Sequence, residues 1–150
     1  MKQQKIASVH LRRGKEESLE RRHPWVFSGA IERISENIAP LAEGDLVDVV
    51  TKQGDFIARG HWQIGSIAVR VLSFEREDID QAWWNRRIRE AKGVREALGL
   101  VGNTSTTCYR LIHGEGDLLP GLVVDIYEGN AVVQCHSVGM YRSRQAIAEA

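Results

Sequence analysis

At 150 residues, 43% of them hydrophobic and 27% charged, the chain has the size of one ordinary domain or two small ones and the composition of a globular protein. No apolar run nears the ~20 residues that cross a bilayer, Met1-Lys2-Gln3-Gln4-Lys5 does not lead into a secretory signal core, and two cysteines make no disulfide framework; a membrane protein and a secreted one are therefore not expected, and a reducing cytoplasm is. Formal net charge is zero, yet residues 1–33 hold eight Lys or Arg against four Glu, while residues 34–75 hold three basic against six acidic side chains, and it is this local excess that a polyanion would feel.

Lys5 to Leu11 alternates weakly and predicts a strand, broken by Gly14. Glu16 to Arg22 predicts a short helix with Leu19 inward. Pro24 pushes His23 out of the helical region and so marks the helix end. Trp25 to Ile34 reads as extended, with a bend or bulge at Ser28-Gly29. A loop from Ala39-Pro40 to Gly44-Asp45 leads to the β-branched strand Leu46–Val50. Lys52-Gln53-Gly54-Asp55 predicts a tight turn and Phe56–Trp62 an antiparallel return. Ile67–Phe74 adds a strand with Ile67, Val69 and Val71 on one face. Short strands with one small helix predict a partly closed β-barrel of about 75 residues.

The period then changes. Asp78 or Asp80 can cap a helix running to Leu98 and closed by Gly99. Trp84, Ile88, Ala91, Val94 and Leu98 form its expected inward stripe. Trp83 and Trp84 are not expected to face inward together; Trp83 would cover a neighbouring loop or domain, or stand exposed as a stacking platform beside Arg86 and Arg87. Three strands follow: Cys108–Ile112, Leu122–Ile126 and Ala131–Cys135. Cys108 and Cys135 read as buried small residues. A helical pattern from near Met140 runs to Ala150 without a stop signal, as though cut inside an element, and residues 142–150 are expected to lack their packing partner.

Arg12, Lys15, Arg21, Arg22 and His23, with Arg13, surround the first helix. They can be a solvated face balanced by Glu16, Glu17 and Glu20, or a seat for phosphates. Trp25 and Phe27 are expected in the core, with base stacking as the alternative. His113-Gly114-Glu115-Gly116-Asp117 through Gly121 lacks the spacing and following helix of a phosphate loop. Glu115 and Asp117 could pair for acid–base work, but no neighbouring residue completes a site. The five histidines lack metal-ligand spacing.

Three strings carry a family resemblance: Arg21-Arg22-His23-Pro24-Trp25-Val26-Phe27-Ser28-Gly29-Ala30-Ile31, Gly54-Asp55-Phe56-Ile57-Ala58-Arg59-Gly60, and Tyr109 through Asp125. Together they resemble the opening of the bacterial 23S rRNA cytosine-5 methyltransferases. The resemblance implies an α+β chain: a PUA-type pseudo-β-barrel over residues 1–77, then a small strand-and-helix middle domain over residues 78–150, truncated before a Rossmann-like domain. It implies RNA binding through Arg12, Lys15, Arg21, Arg22 and His23. It also implies ribosomal RNA as partner and S-adenosylmethionine as cofactor of the parent protein. None of the cofactor or catalytic-cysteine motifs occurs here, so residues 1–150 are expected to bind no cofactor. A homodimer stays open, and so does a non-catalytic RNA-binding or protein-docking adaptor.

Overall fold

The computed structural model describes residues 6–35 and 40–150, so Lys5 and Ala39 of the expectations above lie outside it. The chain divides into two compact units, residues 1–77 and 78–150. In the first, strands β1 (Ala7–Leu11), β2 (Trp25–Phe27), β3 (Ile31–Ile34), β4 (Leu46–Val50), β5 (Phe56–Trp62) and β6 (Ile67–Ser73) make one sheet in the order β2-β6-β5-β4-β1-β3. The β1–β4 pair is parallel and the others are antiparallel.

The two edge strands, β2 and β3, are joined only by the 3₁₀ turn Ser28–Ala30. In a flat six-stranded sheet they would lie ~24 Å apart, at about 4.8 Å per strand. Four Cα steps, from Phe27 to Ile31, reach at most ~15 Å. The sheet must therefore curl until its edges approach. Register shifts in β1–β3, β2–β6, β4–β5 and β5–β6 supply local bends. Period-two alternation sends Val9, Leu11, Val47, Val49, Ala58, Val69 and Val71 into the core, where Leu19 of α1 (Glu17–Glu20) joins them.

The outer face of the strands is not apolar. Asp48 and Arg59 are cross-strand neighbours, both buried, and join through two hydrogen bonds of 2.7 and 3.2 Å. Gly60 follows in a tight place: a Cβ there would sit 2.2 Å from the Arg70 carbonyl oxygen. No residue with a side chain fits between β5 and β6 at that point.

In the second unit α2 (Gln81–Ala97) packs on β7 (Cys108–His113) and on α4 (Arg144–Glu149), which follows the short helix α3 (Val138–Arg142). Strands β7, β8 (Leu122–Tyr127) and β9 (Asn130–Cys135) form an antiparallel sheet. The Asp80 carboxylate caps α2 by accepting from the Trp83 amide at 2.9 Å, and Gly99 ends the helix at φ 70°.

Several expectations fail here for identifiable reasons. Trp83 and Trp84 are both buried, at 1% and 2% exposure, with rings edge to face at 4.8 Å. A helix packed on two neighbours buries more than one stripe, so adjacent residues can both go inside. Val94 and Leu98 are 52% and 68% exposed. Arg95 takes their place on the inner face: it donates to both oxygens of Asp117, at 2.5 and 2.8 Å, and to the Arg110 carbonyl. Asp117 also accepts from the His113 amide at 2.6 Å, and its carbonyl receives Arg87 at 3.1 Å. Asp117, which could have formed half of a carboxylate pair, is thus a structural anchor.

Residues 142–150 are not left without a partner. Ile147 is buried, α4 contacts α2, and Gln81 donates to the Ala146 carbonyl at 2.9 Å. Cys108 is exposed, because β7 is an edge strand, and Cys135 is half-buried on the opposite edge. Burial raises the Cys135 thiol above its usual range, with Arg144 opposing.

Gly60 gives the sharpest stability test. Gly60→Ala is expected to cost about 3 kcal/mol, at the upper end of overpacking effects. Gly29→Ala meets no atom within 4 Å and has no positive φ, so it should stay within about 0.5 kcal/mol of the parent. Urea unfolding of the two variants measures the difference.

Candidate nucleic-acid interface

The first helix is four residues long and ends without a glycine. The Arg22 amide donates to the Leu19 carbonyl at 2.8 Å and the His23 amide to the Ser18 carbonyl at 3.0 Å. This pair of bonds is the Schellman stop, and it requires Arg22 to stand in the left-handed region, at φ 63°. An arginine there costs about 1 kcal/mol that a glycine would avoid. Its guanidinium lies 4.9 Å from the centre of the Phe74 ring.

Beyond the stop, Pro24 leads into β2, where only the middle residue points into the core. Val26 is buried, Trp25 is half-buried and Phe27 is 49% exposed. The core expectation for both aromatics is thus corrected by strand alternation: residues 25 and 27 share the face opposite Val26. His23 joins them. Its ring centre is 5.8 Å from that of Trp25 and 6.2 Å from that of Phe27, and Trp25 and Phe27 meet at 88° and 6.3 Å. The Trp25 amide donates to His23 Nδ1 at 3.2 Å, which holds the imidazole in place.

Of the expected binding residues, His23 belongs to this cluster and Lys15 lines the cavity beside it. Lys15 lines a cavity of about 330 Å³ together with Ser18, Leu19, Trp25, Phe27 and Gly29. Arg12 is fixed beside it: its amide bonds the Ala30 carbonyl at 2.8 Å and its Nε the Ile31 carbonyl at 3.1 Å. Arg21 and Arg22 stand exposed at the far end of the short helix, and His23 sits in the ring cluster. Among the described residues none of Arg12, Arg13, Lys15, Arg21 and Arg22 pairs with a carboxylate. Glu16, Glu17 and Glu20 do not neutralise them by ion pairing. What the sequence reading missed is the exposed ring of Phe27; the apolar neighbours of β2 hid it, although strict alternation in a three-residue strand would have revealed it.

The second unit holds a larger cavity, about 620 Å³, with Arg95, Arg110, His113, Asp125 and Tyr127 among its walls. Its arginines are already spent. Arg95 is bound to Asp117, and Arg110 meets Asp125 at 2.7 and 3.1 Å. The first unit offers cations without a carboxylate partner among the described residues, together with the exposed ring of Phe27, which suits a polyanion with aromatic bases better.

Comparison with known proteins bears on the same unit. The model of the PUA-like domain matches residues 9–74. The first unit is thus similar to PUA-like domains over most of its length. By sequence the chain is similar to large-subunit ribosomal RNA methyltransferases. It is 41% identical over 146 residues to ribosomal RNA large subunit methyltransferase I of Aeromonas hydrophila, covering 96% of this chain and 36% of that protein. The Salmonella arizonae protein of the same name is 41% identical over 142 residues, covering 93% and 34%. The chain thus spans about a third of the length of the curated relatives it matches. Among solved structures, a Streptococcus mutans protein assigned to the SAM-dependent methyltransferases superposes with TM-score 0.79 at 16% identity, over 97% of this chain and 36% of that one. A second structure, of a protein assigned as a methyltransferase and complexed with SAH, gives the same score and identity. At that identity the likeness is one of fold. The α+β architecture, with a PUA-like barrel ahead of a smaller unit, agrees with the expectation from sequence.

Two measurements follow from this geometry. Arg22→Gly relieves about 1 kcal/mol of left-handed strain and loses a ring stack worth about 0.5–1 kcal/mol, so its thermal midpoint should stay near the parent's; a large drop would mark Arg22 as structural. In the second unit, the hydrogen bond from Arg110 is the main cause that holds the Asp125 carboxyl below its ordinary range, against desolvation that raises it. A folded value below the unfolded one means the contribution is present above pH ~4 and lost as pH falls through the folded value. The carboxyl carbon of Asp125 should therefore titrate below its usual range by NMR, and Arg110→Ala should move the midpoint up.

Proposed function

We propose that the chain is the RNA-recognition part of an S-adenosylmethionine-dependent ribosomal RNA methyltransferase acting at carbon 5 of cytosine, in the cytoplasm, with the PUA-like domain as the RNA-binding surface. The observation that carries this reading is the meeting of Lys15 with the exposed ring of Phe27 in the cavity between α1 and β2. Arg12, Lys15, Arg21, Arg22 and His23 would hold phosphates and so position the strand. The relatives' names supply the substrate class and the reaction type.

The cofactor is proposed for the parent protein. S-adenosylmethionine in a Rossmann-like fold sits at a loop between a parallel strand and a helix, where backbone amides are free. The second unit's sheet is antiparallel throughout. The one parallel pair among the described residues, β1–β4, belongs to the barrel, with β2 and β3 between the two in sequence. The residues present do not fit that group, and no step of methyl transfer is derived from them. Among the described residues no helix is long and apolar enough to cross a membrane.

Binding to a single-stranded RNA should be weak and steeply salt-dependent. Four phosphate contacts, from Arg12, Lys15, Arg21 and Arg22, give a log–log slope near −3. The double variant Arg21→Glu, Arg22→Glu should remove binding while the thermal midpoint falls only slightly. Binding unchanged in that variant, or a slope near zero, would refute the assignment and favour a protein-docking adaptor.

A further inference from the structure

We propose that β9 is a pairing edge, and that a second copy of this chain adds its own β9 there, antiparallel across a twofold axis at Val133. The surface lies in the second unit and does not rest on the RNA reading above.

The hairpin fixes which backbone groups are free. Glu128 and Gly129, at φ 48° and 83°, form a two-residue turn with both residues in the left-handed region. The Glu128 amide donates to the carbonyl of Thr107, just ahead of β7, at 3.0 Å. At the far end of the hairpin the His136 amide donates to the Gly121 carbonyl at 2.7 Å. Backbone groups alternate in direction along a strand. Asn130, Val132 and Gln134 therefore bond to β8, while Ala131, Val133 and Cys135 turn their amides and carbonyls to the open side. β9 ends its sheet, and among the described residues no further strand meets them.

This edge lacks the features that keep native edges apart, which are charge, proline and bulges. The opposite edge, β7, has two of them: Arg110, and a register shift between Arg110 and Ile112. β9 reads Asn-Ala-Val-Val-Gln-Cys, pairs with β8 without a shift, and is exposed from Asn130 to Gln134. Val132 and Val133 are 46% and 40% exposed, one on each face of the sheet. Val138 and Tyr141 of α3, which contacts β9, are exposed as well.

A second copy matches this edge in register and in charge. Directly opposed residues of an antiparallel pair are both outward-facing or both inward-facing. Val133 can thus meet Val133 while Ala131 meets Cys135, and every outward group finds a partner. Sliding by two residues leaves one outward residue of each copy unpaired. β9 brings no charge to the axis. Its turn end holds Glu128, and its other end lies near Arg144, whose charge is felt at Cys135. Antiparallel docking sets the Glu128 end of each copy beside the Arg144 end of the other. A foreign strand would find the backbone groups but not the matched ends. The joined sheet would be bounded by two β7 edges, which are protected, so assembly stops at two copies.

Sedimentation equilibrium of the 150-residue chain tests this. A contact of one strand pair is small, so the parent is expected to pass from monomer to dimer between about 1 μM and about 1 mM. Val133→Lys and Val133→Glu each set like charges across the axis and should each weaken association about tenfold. An equimolar mixture of the two variants should recover the parent's association, because opposite charges then face each other. In the parent, amide exchange at Ala131, Val133 and Cys135 should slow as concentration rises, and that at Val132 and Gln134 should not. A parent that stays monomeric at about 1 mM would overturn the second copy and leave the edge to a different chain. Dimerisation that neither variant weakens would place the contact on another face and overturn the proposal. A mixture that associates no better than either variant alone would overturn the axis at Val133.

Discussion

The first unit depends on one short connection. Ser28–Ala30 joins the two edges of a six-stranded sheet, and three residues cannot do so unless the sheet closes on itself. Closure leaves room inside only for small and branched side chains, which is why the core is built of valines and alanines with Leu19 set among them. It also explains why β5 must approach β6 closely enough to exclude any side chain at residue 60. The same connection sets the candidate site, since β2 is too short to bury its flanking aromatics and its neighbour α1 is too short to cover them.

The second unit is organised around a charge. Asp117 sits in the turn between β7 and β8, takes both nitrogens of Arg95 and the His113 amide, and offers its carbonyl to Arg87. Two turns of α2 are thereby fixed to one residue of the sheet's connection. The net of bonds matters more than the pair alone, because a partly buried ion pair that also satisfies backbone groups repays its desolvation better than an isolated one. This arrangement also leaves the larger cavity nearly without free cations, which separates it from the interface between α1 and β2.

Backbone structure was well legible in the sequence. The bounds of β4 and β5, those of β8 and β9 to within one residue, the Asp80 cap and the Gly99 stop all follow from local signals that the fold obeys. What could not be read was which way side chains face when a helix or strand has unusual neighbours. The apolar stripe of α2 was traced through Val94 and Leu98, but an arginine with a buried carboxylate displaced them. Trp83 and Trp84 escape a one-face rule because α2 packs on two neighbours. The apolar neighbours of Phe27 suggest a core position, whereas its place at the end of a three-residue strand puts it outside. At the basic cluster the residue types were legible and the absence of neutralising ion pairs was not, since that depends on where α1's glutamates point.

The parallel pairing of β1 with β4 has a kinetic meaning. Ala7 lies beside Val47, and β1 is inserted between β3 and β4, so the strand made first in sequence can be placed only after the chain has returned to meet it. The β4–β5–β6 meander can form from neighbouring turns, but a long loop must close before β1 gains either partner, and that entropy is lost before any contact repays it. The meander is therefore expected to form ahead of the β1 pairings, and β3, whose partner in the sheet is β1, joins with it or after it.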